Sequence, residues 1–326
     1  MWAAGAATGI GSLPGTDIVE ALATVLGELP DLPHLPELPD RGPGADMIGR
    51  TAGLLMDLPV ELYAARWTLA GRGGRDARRT ADLWQRDLDA LTDHAADYAG
   101  VFKVQASGPW TLAAGLDLPI GGLVLRDAGA VRDLTASLAE GLRRHVVEVS
   151  ARVPGARILL QLDEPSLPQV LAGMLPTESG FGRLPPVPET EATETLRGVV
   201  DAVGVPVVLH CCAPHPPVRL ARAAGAVGIA LDLDLVDDLD TVGEALDDGF
   251  GLWAGALPTR TGARRSAVEV ADRIRALWHR LGLPAGRLGE QVVTTPACGL
   301  AGLTPDEARA AMLTCREAAR RLAEAD

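Results

Sequence analysis

Short aliphatic runs recur along the chain, each followed by a longer Ala-, Leu- and Arg-rich segment with helical spacing, and most runs stop at a polar or ionisable residue. This alternation reads as strand then helix, the pattern of a parallel sheet with helical crossovers. Strands are expected near residues 6–11, 101–105, 157–162, 206–209, 227–231, 251–254 and 291–294, and an eighth is sought in the Pro-punctuated stretch 32–39. Helices are expected over 75–99, 128–153, 191–203, 217–224, 239–248, 267–281 and 304–325. The last opens on Thr304, Pro305, Asp306 and Glu307, a capping hydroxyl, a proline suited to the first helical position and acids for the first turn.

The polar stops decide between two architectures. Ser12, Ser107, Asp163 with Glu164, His210, Asp232 and Cys298 all lie at or just after expected strand ends. In a (β/α)8 TIM barrel these ends converge around one mouth. In a doubly wound open sheet, the runner-up, they would be spread along an edge. The chain of 326 residues suits one barrel, which commonly takes ~250 residues before insertions. The whole of residues 1–326 is therefore read as a single α/β TIM-barrel domain, with the Pro- and Gly-rich segments 30–44 and 173–188 as loop insertions at the carboxyl-terminal face of the barrel. Aromatic residues make up only 3% of the chain against 47% hydrophobic overall, so the core must be built from Ala, Val and Leu.

The formal charge of −13 excludes a nucleic-acid groove or an anionic membrane surface, either of which would repel the chain. No apolar segment reaches the ~20 residues a membrane span needs, and the amino-terminal stretch lacks the basic start and apolar core of a signal peptide. A cytoplasmic protein acting on small molecules is expected.

The four cysteines are Cys211, Cys212, Cys298 and Cys315. In a reducing compartment they read as metal ligands or buried residues rather than as a disulfide framework. His210 and Cys212 are two apart on an extended chain and so share a side, while Cys211 points away. Imidazole plus thiolate suits zinc. Cys298, after the last strand, would be a third ligand, and the fourth tetrahedral position falls to Asp232, water or substrate, the pattern of a catalytic site. The plain alternative for each thiol is burial, the usual fate of a free cysteine, and it is accepted for Cys315.

The segments Thr8–Pro14 (TGIGSLP), Leu162–Leu167 (LDEPSL), His210–Cys212 (HCC), Ile229–Asp232 (IALD) and Ala297–Leu300 (ACGL) stand in the order found in the C-terminal catalytic domain of cobalamin-independent methionine synthase, which the chain resembles over nearly its whole length. The resemblance implies zinc held by His210, Cys212, Asp232 and Cys298, and a methyltransferase of methionine biosynthesis that methylates homocysteine. Asp232 stands where the family has Glu, one methylene longer, and Asp234 competes with it. The resemblance also implies that Ile10, Gly11 and Ser12 receive the amino-acid carboxylate and that Asp163 holds the amino group. Glu37 is expected as the second acid for the ammonium, with Asp46 as the alternative. Gly108–Thr111 resembles the family's stretch near the methyl donor, and a turn that starts a helix is an equal reading.

Two departures bear on the donor. The chain has no room for the second barrel that helps the full-length family enzymes hold folylpolyglutamate. Ala256 lies in the segment aligned with the family's proton-donating His, whose help would be worth ~10²–10⁴-fold. A corrinoid, carried by a partner protein, is therefore expected in place of folate. The competing readings are a uroporphyrinogen decarboxylase-like enzyme and a non-catalytic homologue that binds zinc and an amino acid.

Overall fold

The computed structural model describes residues 1–260, 262 and 265–324. Its centre is a curled parallel sheet of six strands in the order β3 (Val101–Ser107), β5 (Arg157–Asp163), β6 (Val207–Cys211), β7 (Gly228–Asp232), β8 (Gly251–Leu257) and β9 (Val292–Pro296). Three short strands, β1 (Val60–Tyr63), β2 (Arg66–Leu69) and β4 (Leu116–Asp117), form a separate small sheet. Every residue of β3, β6, β8 and β9 is buried, as expected of strands covered on both faces, and this is why they read as largely apolar runs.

The fold is TIM-barrel-like, with six laddered strands in place of the eight expected. The segments expected as the other two are extended but make only isolated bridges. Ala7 bridges Thr294 on β9, His34 bridges Lys103 on β3, and Ser12 bridges Glu37. The laddered strands also run further than expected at their carboxyl ends, so that Asp163 and His210 lie within ladders, paired with each other across β5 and β6.

The two faces of the sheet do different work. Outside, the helices Arg75–Ala95, Ala128–Arg152, Glu189–Val203, Ala267–Arg280 and Pro305–Ala323 pack with the sheet into the large apolar core. The last starts at the Thr304 cap expected there, and Thr304 and Glu307 form a capping box; Ala325, where that helix was expected to end, lies outside the described residues. Inside, Val101, Leu159, Val208, Ala230, Trp253 and Val293, one from each strand, meet Ala6, Ile10 and Leu32 in a compact apolar floor. Because strand side chains alternate, the next inward-facing residues toward the carboxyl ends are Lys103, Gln161 and His210, and the residues of the site follow. Among the described residues no helix is long and apolar enough to cross a membrane.

Candidate active site

A cavity of about 180 Å³ opens above this polar layer. It is lined by Ile10, Gly11, Ser12, Glu37, Asp163, His210, Cys212 and Cys298, together with Pro39, Ala45, Met47, Pro165 and Gly299. Every site residue expected from the sequence is therefore present except Asp232. The volume is well below the ~300–1,000 Å³ of pockets that engulf drug-sized ligands, so the enclosed part suits a molecule of amino-acid size. Larger concavities exist, among them one of about 540 Å³ beside His215 and Asp237 and one of about 410 Å³ beside Pro258, but among the described residues neither brings three metal-ligating groups together.

His210, Cys212 and Cys298 present ligand atoms within 4.8 Å of one another, with the two sulfurs 3.1 Å apart. His210 is anchored by its Nδ1, 2.8 Å from Asp163 Oδ1. Its Nε2 is buried with no protein partner. A buried, unpartnered ring nitrogen beside two thiols is what a soft, tetrahedral metal would satisfy, and the His-Cys-Cys set suits zinc. The donor set therefore fits the metal that the sequence implies.

Asp232, expected as the fourth ligand, stands outside the cluster. It ends β7, next but one to β5 across β6, and its Oδ1 accepts the amide of Asp234 at 2.9 Å. The competing Asp234 is engaged elsewhere, in ion pairs with Arg265 and Arg273. The reason is geometric: Asp232 is the last residue of its strand and is only partly buried, and its short side chain bonds the turn that follows.

The two thiols differ. The hydrogen bond from Cys212 and the charge on His210 favour the thiolate at Cys298, against desolvation, while the same hydrogen bond and burial raise Cys212. Burial pulls the His210 pKa down, but the hydrogen bond and charge of Asp163 outweigh it and leave the pKa raised. Cys211 faces the barrel wall, buried and pushed up to about 12 by desolvation.

The acids separate by role as well. Asp163 lines the cavity, and the hydrogen bonds it accepts, from Gln161 and His210, both fall on Oδ1. Its neighbour Glu164 faces the other way and accepts the amides of Trp110 and Thr111 and the Thr111 hydroxyl. It thereby caps the helix Pro109–Gly115, and Gly108–Thr111 is accordingly a turn that starts a helix. Trp110 is fully buried and donates its indole hydrogen to Ala192, so it packs rather than presenting a face to a ligand. Asp46, the alternative to Glu37, caps the helix Met47–Ala52 and accepts from Trp67.

Glu37 is buried, and desolvation pushes its pKa up to about 7, opposed by Arg50, whose Nε is 3.8 Å away. Arg50 is held there by its ion pair with Asp87 at 2.5 Å and by the Trp84 ring 3.6 Å beneath its guanidinium. At the cavity's other side a Cβ on Gly299 would stand 2.0 Å from Ser12 Oγ, so glycine is what permits the two segments to approach.

Four polar residues of the site were not foreseen: Lys103, Gln105, Gln161 and Arg50. Lys103 is fully buried, and its Nζ donates to the Ile10 carbonyl at 2.6 Å, to Gln161 Oε1 at 2.9 Å and to Gln105 Oε1 at 3.2 Å. Burial lowers its pKa to about 7, with Asp163 and Glu37 acting against the fall. A signal was available, since Lys103 and Gln105 alternate with apolar residues in an otherwise apolar strand, as do Gln161 and Asp163.

Comparison with known proteins adds a family. The model of the cobalamin-independent synthase catalytic domain matches residues 5–321. Among solved structures, a B12-independent methionine synthase from Shewanella sp. W3-18-1, in complex with selenomethionine, superposes with a TM-score of 0.65 at 14% identity, covering 99% of this chain and 98% of that one. A Pseudomonas aeruginosa protein proposed to be a dihydrodipicolinate synthetase reaches a TM-score of only 0.40 at 12% identity over 98% of this chain and 80% of its own. No curated protein matches the chain.

Proposed function

The chain belongs to the family of cobalamin-independent synthase catalytic domains, and on that premise we propose that it is a zinc-dependent methyltransferase that converts homocysteine to methionine in a single barrel domain. The observation that carries this reading is the meeting of His210, Cys212 and Cys298 in the same small cavity as Glu37 and Asp163. A site for a thiol and a site for an ammonium group share one enclosure, which is what homocysteine requires.

In this reading His210 Nε2 and the sulfurs of Cys212 and Cys298 would hold the metal beside the place where the substrate thiol binds. Asp232 is left out of the ligand set because its carboxylate already serves the Asp234 amide. When bound, zinc supplies a positive charge that lowers the pKa of a thiol from ~8.5, so that the nucleophilic thiolate predominates at neutral pH.

The protein's own residues do the rest. Glu37 and the second oxygen of Asp163 bind the ammonium, each acting as a charged acceptor. The Ile10–Gly11–Ser12 segment binds the carboxylate. Among the described residues the Ser12 amide has no protein acceptor, since the flanking bonds run from Leu13 to Glu37 and from Glu37 to Gly11. Held at both ends, the amino acid presents its sulfur at the metal position, and the apolar walls of Ile10, Ala45, Met47 and Pro165 keep water from it.

The corrinoid donor weighed from the sequence has no support in the family, whose description is cobalamin-independent, and neither does the decarboxylase alternative. We propose a methylated pteroylglutamate as donor. Ala256 is buried on β8 and has no proton to give the leaving amine. Metal analysis of the wild type and of Cys212→Ser, followed by homocysteine methylation assays with a pteroylglutamate and with methylcobalamin, tests the reading. Methylation by methylcobalamin alone would overturn the donor assignment.

A further inference from the structure

Beneath the proposed metal ligands lies a chain of buried hydrogen bonds whose direction is set at one end. We infer that Lys103 and Gln161 are positioning residues that fix, through Asp163, which nitrogen of His210 faces the thiols. The inference rests on the zinc reading above and assigns to it two residues that touch neither metal nor substrate.

An ammonium group carries three donors and no acceptor. The Lys103 Nζ has three acceptors around it, the Ile10 carbonyl and the side-chain oxygens of Gln161 and Gln105. Its polarity therefore orients the Gln161 amide, whose oxygen must face Lys103 and whose NH2 must point away. That NH2 donates to Asp163 Oδ1 at 2.7 Å and to the Ile10 carbonyl at 2.8 Å. A flipped amide would set NH2 against ammonium and carbonyl against carboxylate. Asp163 Oδ1, held in place by this donor, is an acceptor, so His210 Nδ1 at 2.8 Å carries the hydrogen. Nε2 is left with its lone pair, buried and unpartnered, toward Cys212 and Cys298.

The same two residues hold the other end of the site. Lys103 and Gln161 both donate to the carbonyl of Ile10, the first residue of the segment proposed to bind the substrate carboxylate. Gln105 braces the arrangement by donating to the Leu35 carbonyl at 2.6 Å. One buried amino group thus ties the metal side to the amino-acid side.

A double-mutant cycle on zinc affinity, read by competition with a chromophoric chelator, tests the relay. Lys103→Met and Asp163→Asn should each weaken zinc binding by ~10–100-fold, the usual effect of losing an outer partner of a ligating histidine. The double variant should be no weaker than the worse single one, because Lys103 acts through Asp163. Gln161→Met breaks the next link at similar volume and carries the same cycle if Lys103→Met does not fold. Nitrogen-15 NMR of metal-free protein reads the tautomer independently, with the Nδ1–H form of neutral His210 in the wild type and a mixture in both variants. Additive losses, or wild-type zinc affinity with the wild-type tautomer in both variants, overturn the relay and leave the zinc reading standing. A wild type that takes up no zinc overturns the zinc reading, and the tautomer then decides the relay alone.

Discussion

Asp163 and His210 are paired across adjacent strands, and Asp163 Oδ1 lies 2.8 Å from His210 Nδ1, so the ring can offer a metal only its other nitrogen. Carboxylate partners of this kind fix the tautomer of ligating histidines and raise their basicity. In Asp163→Asn we expect zinc affinity to fall ~10–100-fold and the KM for homocysteine to rise as well, since the same carboxylate is proposed to bind the ammonium. Chelator competition and steady-state kinetics would check the two effects separately, and a variant changed in neither would remove Asp163 from the site.

The ligand set makes a second, contrasting prediction. Cys298→Ser should lose zinc on purification, whereas Asp232→Asn should retain it at wild-type stoichiometry, because the Asp232 carboxylate bonds the Asp234 amide instead of joining the cluster. Metal analysis of the two variants side by side decides. Zinc lost from Asp232→Asn would restore the four-ligand set implied by the sequence resemblance.

Glu37 sets function against stability. Its pKa is pushed from 4.5 to about 7 by burial, so between those values the folded protein binds a proton that the unfolded chain does not. The unfolded chain therefore gains on the folded one as pH rises through this window, and stability falls. Glu37→Gln removes that loss and should be more stable than wild type at pH 8 by about 3 kcal/mol as an order of magnitude, with the advantage vanishing below about pH 4.5. The same change should raise the KM for homocysteine ~10–100-fold, the worth of one charged hydrogen bond, with zinc content unchanged. Denaturant titrations at the two pH values, with kinetics, check both signs.

Much of this arrangement was legible in the chain, for reasons that can be assigned residue by residue. The six laddered strands are largely apolar runs, most of them ending at polar residues, and His210-x-Cys212 shares one side by strand geometry alone. The amino-terminal segments were harder because Ala7, His34 and Ser12 make single bridges and no ladder, and prolines punctuate the second segment. The hairpin of β1 and β2 gave no signal, since its turn residues Ala64 and Ala65 adopt positive φ of 47° and 64° without the Asn or Gly that usually marks such turns. Asp232 stands apart from the cluster because a motif fixes a residue's strand but not whether a short side chain spans the gap to a neighbour. Lys103 and Gln161 escaped notice because partners from three distant segments give them meaning.

Gly299 offers a test of the carboxylate subsite that leaves the metal ligands intact. A methyl group there would meet Ser12 Oγ at 2.0 Å and Ser12 Cβ at 3.3 Å, so the hydroxyl must turn and its segment must shift. Gly299→Ala should raise the KM for homocysteine with little change in zinc content. Isothermal titration with homocysteine and metal analysis check this, and unchanged homocysteine affinity would remove Ser12 from the subsite.

The cavity at Cys212 and Cys298 is proposed to methylate homocysteine with the help of a bound metal. The most direct test is the formation of methionine from homocysteine and a methylated pteroylglutamate by the zinc-loaded protein, run beside Cys212→Ser. Methionine is expected from the wild type, abolished by a chelator and absent from the variant. No methionine with zinc bound, or equal methionine from Cys212→Ser, would contradict it.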